Sequence, residues 1–281
     1  MPHQTFKLTS RYNSRPIVVD VLARPSFRFQ PLIIFAHGFN GFKDWGPFPA
    51  MAERFADAGF AFCAFNFSHN GTTPERPTEF EDLEAYRANT ISIELSDLED
   101  VIHFFAGGKS ASEGALIDKR HIGLMGHSRG ASVALLAAAQ GHAKALVTLS
   151  AMAAFDRTWP EDQMQTWAED GVRLVQNRRT GQKLPLGYSI VQDYKANFGR
   201  LDLIAAANSY TNPWLIVHGD QDETIPVTDA MELSMAQPGA ATLILPGQGH
   251  TYGAAHPSDG TMPPGFAQAV DASIAFYKAN L

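Results

Sequence analysis

Short apolar runs alternate with amphipathic stretches along most of the chain. Pro31-Leu32-Ile33-Ile34-Phe35-Ala36 is continuously apolar over strand length, as a parallel strand covered on both faces must be. Residues 17–22 are rich in β-branched side chains and predict an earlier, antiparallel strand. Between 49 and 58, Met51, Phe55 and Ala58 recur at helical spacing, and Gly59 supplies a stop. Residues 60–67 return to a strand pattern. Ile91, Leu95, Leu98, Ile102 and Phe105 step by four and three, the period of an amphipathic helix, and Gly107-Gly108 ends it. Further strands are expected at 121–127, 145–150, 213–218 and 241–245, with a closing helix near 263–279. This alternation predicts an α/β fold built on a mostly parallel, doubly wound sheet with right-handed crossovers.

One interval breaks the rhythm. Residues 152–212 separate two strands that a short connection would join, and the interval is far longer than an ordinary loop. It holds Trp159, Trp167, Tyr188, Tyr194 and Phe198, together with a basic cluster of Arg173, Arg178, Arg179 and Lys183. Residues 68–84 are polar and proline-containing, and read as a long loop.

The candidate chemistry centres on Gly126-His127-Ser128-Arg129-Gly130. An apolar run of strand length, His121-Ile122-Gly123-Leu124-Met125, precedes it, and the small, helix-forming stretch from Ala131 to Ala139 follows. A serine between two such elements sits on a sharp strand-to-helix turn, its hydroxyl thrust outward and the next backbone N–H free. Glycines two residues to either side leave room for the tight backbone and for close helix packing. The pentapeptide alone is weak, and Ser128 is also an ordinary helix N-cap type. Two later features give it weight. Asp220 and Asp222 follow the strand ending at His218-Gly219, and His250 follows the strand at 241–245, which yields the chain order Ser, Asp, His. All three positions fall just beyond the carboxyl ends of predicted parallel strands, where α/β sheets gather their sites. A serine hydroxyl needs a base and the base needs an orienter, roles open to His250 and one of the two aspartates, with His256 as a second candidate base. His69, His127 and His218 read as structural.

From about residue 15 to 281 the chain resembles the α/β-hydrolase superfamily, and within it bacterial serine hydrolases of the dienelactone-hydrolase and cinnamoyl (feruloyl) esterase types. Dienelactone hydrolases proper carry cysteine where this chain has Ser128. The resemblance implies an α/β-hydrolase fold with about eight strands, a core formed by 1–151 and 213–281, and a small cap at 152–212 inserted after the sixth strand. It maps the acid onto Asp222, through a His-Gly, two residues, Asp spacing, and so implies a Ser128, Asp222, His250 triad. The oxyanion hole falls on the backbone N–H groups of Phe39, in His37-Gly38-Phe39-Asn40-Gly41, and of Arg129. The implied activity is hydrolysis of carboxylic esters through an acyl-enzyme, without metal or organic cofactor. A serine peptidase acting on short peptides, and a non-catalytic receptor on the same fold, are the rival readings. Trp45 and the insertion's Trp159 and Trp167 are candidates for an apolar substrate pocket, although aromatic side chains pack as readily in a core. Arg129 is either a lure for an anionic substrate or part of an internal hydrogen-bond network.

Composition narrows the picture further. A chain of 281 residues with 45% hydrophobic content can bury one sizeable core. Its net charge of −7 offers no electrostatic footprint for nucleic acid. Ten histidines and the lone Cys63 show no metal-ligand spacing, and Cys63 sits in an apolar run as a small buried hydrophobe. No signal-like or membrane-spanning apolar run is present, so the expected setting is cytoplasmic and the expected partner a small-molecule ester, with neither membrane nor nucleic acid. Monomer and homodimer remain equally open.

Overall fold

The computed structural model describes residues 3–107, 116–177 and 180–281. Gly108, expected to help end a helix, and Arg178 and Arg179 of the basic cluster lie outside the described residues. The chain opens with β1 (His3–Thr9) and β2 (Pro16–Leu22), then β3 (Phe29–Ala36), α1 (Phe48–Asp57) and β4 (Ala61–Asn66). Two helices follow, α2 (Leu83–Ala88) and α3 (Ile91–Ala106), and then β5 (Leu116–His127), α4 (Arg129–Ala137) and β6 (Ala145–Leu149). The interval after β6 contains α5 (Met164–Asp170), a hairpin of β7 (Val172–Gln176) and β8 (Lys183–Gly187), then α6 (Ser189–Ala196), α7 (Phe198–Leu201) and α8 (Leu203–Ser209). The fold closes with β9 (Trp214–Gly219), α9 (Val227–Ala236), β10 (Ala241–Leu245) and α10 (Pro264–Asn280).

Among the described residues eight strands form one sheet in the order β1-β2-β4-β3-β5-β6-β9-β10. The pairs β1/β2 and β2/β4 are antiparallel, and all the others are parallel. This is the α/β-hydrolase fold expected from the sequence. Two features were not anticipated. β1 is an edge strand whose alternating, half-exposed residues carry little apolar signal, and β5 begins five residues before the predicted 121, ahead of a register shift against β3 between Pro31 and Leu32.

The period-two alternation of strand side chains divides the core into two layers. Val19, Val21, Leu32, Ile34, Cys63, Phe65 and Leu124 face one side, where α3, α4, α8 and α9 contribute Leu95, Leu98, Leu135, Leu203 and Leu233. Ile33, Phe35, Phe62, Met125, Val147 and Val217 face the other, covered by Met51 and Phe55 of α1 and Phe266 and Tyr277 of α10. Trp167, Leu184, Leu186, Ile190 and Tyr194 of the interval after β6 belong to the same continuous apolar cluster as the first layer. Among the described residues no helix is long and apolar enough to cross a membrane.

The turn from β5 into α4 leaves no room for a side chain at either flanking glycine. A Cβ on Gly126 would lie 2.4 Å from the Gly130 carbonyl oxygen, and one on Gly130 would lie 2.3 Å from the carbonyl oxygens of Ala36 and His37. The helix therefore starts almost in contact with the backbones of β5 and β3. Gly126→Ala is expected to lower the thermal midpoint by several degrees, an overpacking cost of about 1–3 kcal/mol or more. Gly199→Ala, in a helix and with nothing within 4 Å of the new Cβ, should be neutral or slightly stabilising. Calorimetry of both variants checks this, and equal midpoints would contradict it.

Candidate active site

Ser128 adopts φ 56° and ψ −128° between the last residue of β5 and the first of α4. Its own N–H donates to Leu149 O on β6 at 2.8 Å, so the turn is tied to the neighbouring strand. The carbonyl of Ser128 accepts from Ala131 N–H at 2.9 Å, which starts the helix. The side chain is left pointing away from both elements, toward the loop that follows β10.

That loop brings His250 to the serine. Ser128 Oγ–H donates to His250 Nε2 across 2.9 Å, and His250 Nδ1–H donates to Asp222 Oδ2 across 2.8 Å. His250 is held by its backbone as well. Its carbonyl oxygen lies 2.9 Å from His127 Nε2, and because a carbonyl only accepts, that nitrogen carries the proton. Burial, with the nearby His250 adding to it, pushes the His127 pKa down to about 3, so the ring is neutral and serves as a fixed donor. Ser150 Oγ stands 3.2 Å from the same carbonyl and 2.9 Å from Tyr252 Oη, and the tyrosine hydroxyl in turn donates to Val217 O at 3.0 Å.

Asp222 is the acid that the structure puts in reach of His250. Its Oδ1 accepts the backbone N–H groups of Thr224 at 2.9 Å and Ile225 at 2.8 Å. His218 Nε2 stands 3.4 Å from Oδ2 and 2.9 Å from the Ile225 carbonyl, so it too carries a proton. Burial works against the charged carboxylate, but the donors from His218, His250 and Ile225 outweigh it and hold the carboxyl far below the usual range. Asp222 is thus ionised at every pH of interest. Asp220, its rival in the sequence, is exposed and accepts Gly247 N–H at 2.7 Å, bracing the loop instead. His256 is also elsewhere: its Nδ1 accepts Gly46 N–H at 2.9 Å and its ring stacks on Trp45.

A cavity of about 120 Å³ opens at Ser128, lined by Phe39, Asn40, Trp45, Phe48, His127 and His250 among others. Arg129 is the first residue of α4, so its N–H has no partner within the helix. Phe39 follows Gly38, where a Cβ would come within 3.0 Å of Ser128 Cβ, so the loop after β3 passes directly beside the serine. His37 fixes this loop: its Nδ1 is 2.9 Å from Gly38 O, and burial lowers its pKa to about 4, keeping it neutral.

Of the three tryptophans expected at a pocket, only Trp45 lines this cavity. Trp167 is 1% exposed, donates through Nε1 to Leu186 O at 3.0 Å and packs edge-on to Trp159 and Tyr188. Trp159 packs edge-on to Tyr194 as well. Trp167 is a core residue of the segment after β6, since an indole satisfies its one N–H as well on a buried carbonyl as on a ligand, whereas Trp159 is partly buried against that core and does not line the cavity. Arg129 resolves toward the internal reading: it is buried, donates to Glu94 Oε1 at 3.3 Å and lies 4.0 Å over the ring of Phe39. Sequence reasoning missed Ser150, Tyr252, Glu94 and Tyr86, whose hydroxyl donates to Asn40 Oδ1 at 2.6 Å. They come from elements remote in the chain, and no local motif flags them. Among the described residues no group of three or more His, Cys, Asp or Glu is placed to hold a metal ion.

Comparison with known proteins gives a consistent picture. Residues 33–263 match the model of the alpha/beta hydrolase family. No curated protein matches the chain. Among solved structures, a putative hydrolase from Agrobacterium vitis S4 is similar with a TM-score of 0.74 and 17% identity, over 99% of this chain and 100% of that one. Est1E from Butyrivibrio proteoclasticus, with ferulic acid bound, is similar with a TM-score of 0.67 and 20% identity, over 97% of this chain and 98% of that one. A dienelactone hydrolase from Anabaena variabilis has a TM-score of 0.64 and 13% identity over 100% of both chains. At these identities the likeness is one of fold. The family match spans most of the chain and the sheet order agrees with it, so this protein belongs to the alpha/beta hydrolase family.

Proposed function

We propose that this protein is a serine hydrolase of carboxylic esters, with Ser128 as nucleophile, His250 as general base and acid, and Asp222 as the residue that orients the imidazole. The observation that carries this reading is the continuous chain of short hydrogen bonds from Ser128 Oγ through His250 to Asp222. In the first half-reaction Ser128 Oγ bonds to the ester carbonyl carbon while His250 Nε2 takes the hydroxyl proton. The carbonyl oxygen becomes an oxyanion, received by the N–H groups of Phe39 and Arg129. Collapse of this intermediate breaks the bond to the alcohol, which leaves with the proton from His250. Water then attacks the acyl-enzyme, its proton passing to His250, and the acid departs as the proton returns to Ser128. The Asp222 carboxylate stays ionised throughout and stabilises the imidazolium that forms in each half. In this reading residues 152–212 form a cap beside the site that limits access by water.

A fluorophosphonate probe is expected to label Ser128 stoichiometrically and to abolish ester hydrolysis, and Ser128→Ala should lose both the labelling and the activity with its circular dichroism unchanged. Mass spectrometry of the labelled peptide is the check; full activity after stoichiometric labelling would refute the assignment. Asp222→Asn should lower kcat by about 10⁴-fold by favouring the wrong imidazole tautomer. Asp220→Asn, which alters only the loop brace, should stay within a few-fold of wild type. Steady-state kinetics on an aryl ester distinguish them, and the reverse ranking would move the acid to Asp220.

A further inference from the structure

The two residues whose N–H groups are read as the oxyanion hole come from different loops, yet their side chains touch. The guanidinium carbon of Arg129 lies 4.0 Å from the centre of the Phe39 ring. A cation over a ring face is held there by the ring quadrupole, most strongly where water is excluded, and Arg129 is buried. Each donor N–H belongs to the same residue as one half of this stack. Whatever fixes the stack therefore constrains the spacing of the two donors.

Glu94 of α3 holds the cationic half. Its Oε1 accepts Arg129 Nη1–H at 3.3 Å and Asn89 Nδ2–H at 2.7 Å. The side chains of Glu94 and Arg129 are 5% and 7% exposed. Stability does not account for such a pair, because taking two charges out of water costs about as much as their attraction returns. Glu94 Oε2 adds to the cost, since it is enclosed without a hydrogen-bond partner among the described residues. Burial accordingly pushes the Glu94 carboxyl up from its usual range, with Arg129 and Asn89 opposing the shift.

The aromatic half is held from α2. Phe39 lies in a turn closed by Gly41 N–H to Gly38 O at 3.1 Å, and Asn40 after it adopts φ 56°. Tyr86 Oη–H donates to Asn40 Oδ1 at 2.6 Å, and its ring lies 6.0 Å from that of Phe39. Phe39 and Asn40 line the Ser128 cavity, whereas Arg129, Glu94 and Tyr86 are not among its lining residues. The ion pair thus stands behind the cavity wall and acts on the loop, not on a bound ester.

We propose that Glu94 is a positioning residue: it holds the Arg129 guanidinium against the Phe39 ring, and this clamp sets the spacing of the two backbone donors that receive the oxyanion. This rests on reading Ser128 as the nucleophile and the N–H groups of Phe39 and Arg129 as the oxyanion hole.

The test uses variants of the full-length protein on 4-nitrophenyl butyrate. Glu94→Ala is expected to lower kcat about 10- to 100-fold with KM within about threefold of wild type, because a misplaced donor weakens the transition state and not the bound ester. Glu94→Gln, which keeps an acceptor for Arg129, should recover part of the loss. Arg129→Lys keeps the charge for Glu94 but has no flat face for Phe39, and should lose kcat as Glu94→Ala does. The double variant Glu94→Gln/Arg129→Met replaces the ion pair with neutral side chains of similar length. It should retain or exceed the wild-type thermal midpoint and still lose kcat, which separates positioning from folding. A second readout needs no turnover. Trifluoroacetone gains a bond from Ser128 Oγ at its carbonyl carbon while the hydroxyl proton passes to His250, so its oxygen becomes an oxyanion. Its affinity should fall in each variant by about the same factor as kcat. A folded Arg129→Lys or double variant with kcat within threefold of wild type overturns the proposal and leaves the hydrolase reading intact. So does a loss that falls on KM, or one that leaves trifluoroacetone affinity unchanged. A wild-type protein that neither turns over the ester nor takes the fluorophosphonate at Ser128 overturns the hydrolase reading and this one with it.

Discussion

Ser128 occupies a backbone conformation, φ 56° and ψ −128°, that a residue with a side chain adopts only at a cost of about 1–3 kcal/mol. The surroundings leave it no alternative. Its N–H is fixed to Leu149 O, its carbonyl begins α4, and Gly126 and Gly130 allow strand and helix to approach within a distance that no Cβ would permit. The strain is thus held by the parallel sheet itself, and it directs one hydroxyl out of the β5–α4 corner. The rest of the site is arranged around the direction in which that hydroxyl points.

The order of strands accounts for what it meets. β3, β5, β6 and β9 lie side by side and parallel, so the loops leaving their carboxyl ends emerge at one rim. The loop after β3 supplies Phe39 and Asn40, the turn after β5 supplies Ser128, and the loops after β9 and β10 supply Asp222 and His250. Backbone hydrogen bonds carry most of the positional load. Asp222 is set by Thr224 and Ile225 N–H groups, and the His250 carbonyl by His127 with Ser150 beside it. An imidazole held on both its ring and its backbone has little freedom to leave the serine.

The sequence carried much of this in readable form, and for identifiable reasons. Continuous apolar runs marked the buried strands, four- and three-residue steps marked α3, and glycine spacing marked the turn at Ser128. Edge strand β1 stayed silent because its partly exposed residues need no apolar pattern. Asp220 and Asp222 were separable only through the family-like spacing, since both are aspartates on one loop; what distinguishes them is which carboxylate faces the N–H groups of the turn. Trp167 shows the converse limit, because side-chain type does not tell a pocket wall from a packed core. The Arg129–Glu94 pair depends on a contact between remote elements, which no local pattern encodes.

A crystal structure of the phosphonylated protein tests the convergence of these groups most directly. The account predicts phosphorus bonded to Ser128 Oγ, its phosphoryl oxygen within hydrogen-bond distance of the N–H groups of both Phe39 and Arg129, and His250 still bonded to Asp222. An adduct on another residue, or a phosphoryl oxygen turned to solvent with His250 parted from Asp222, would contradict it.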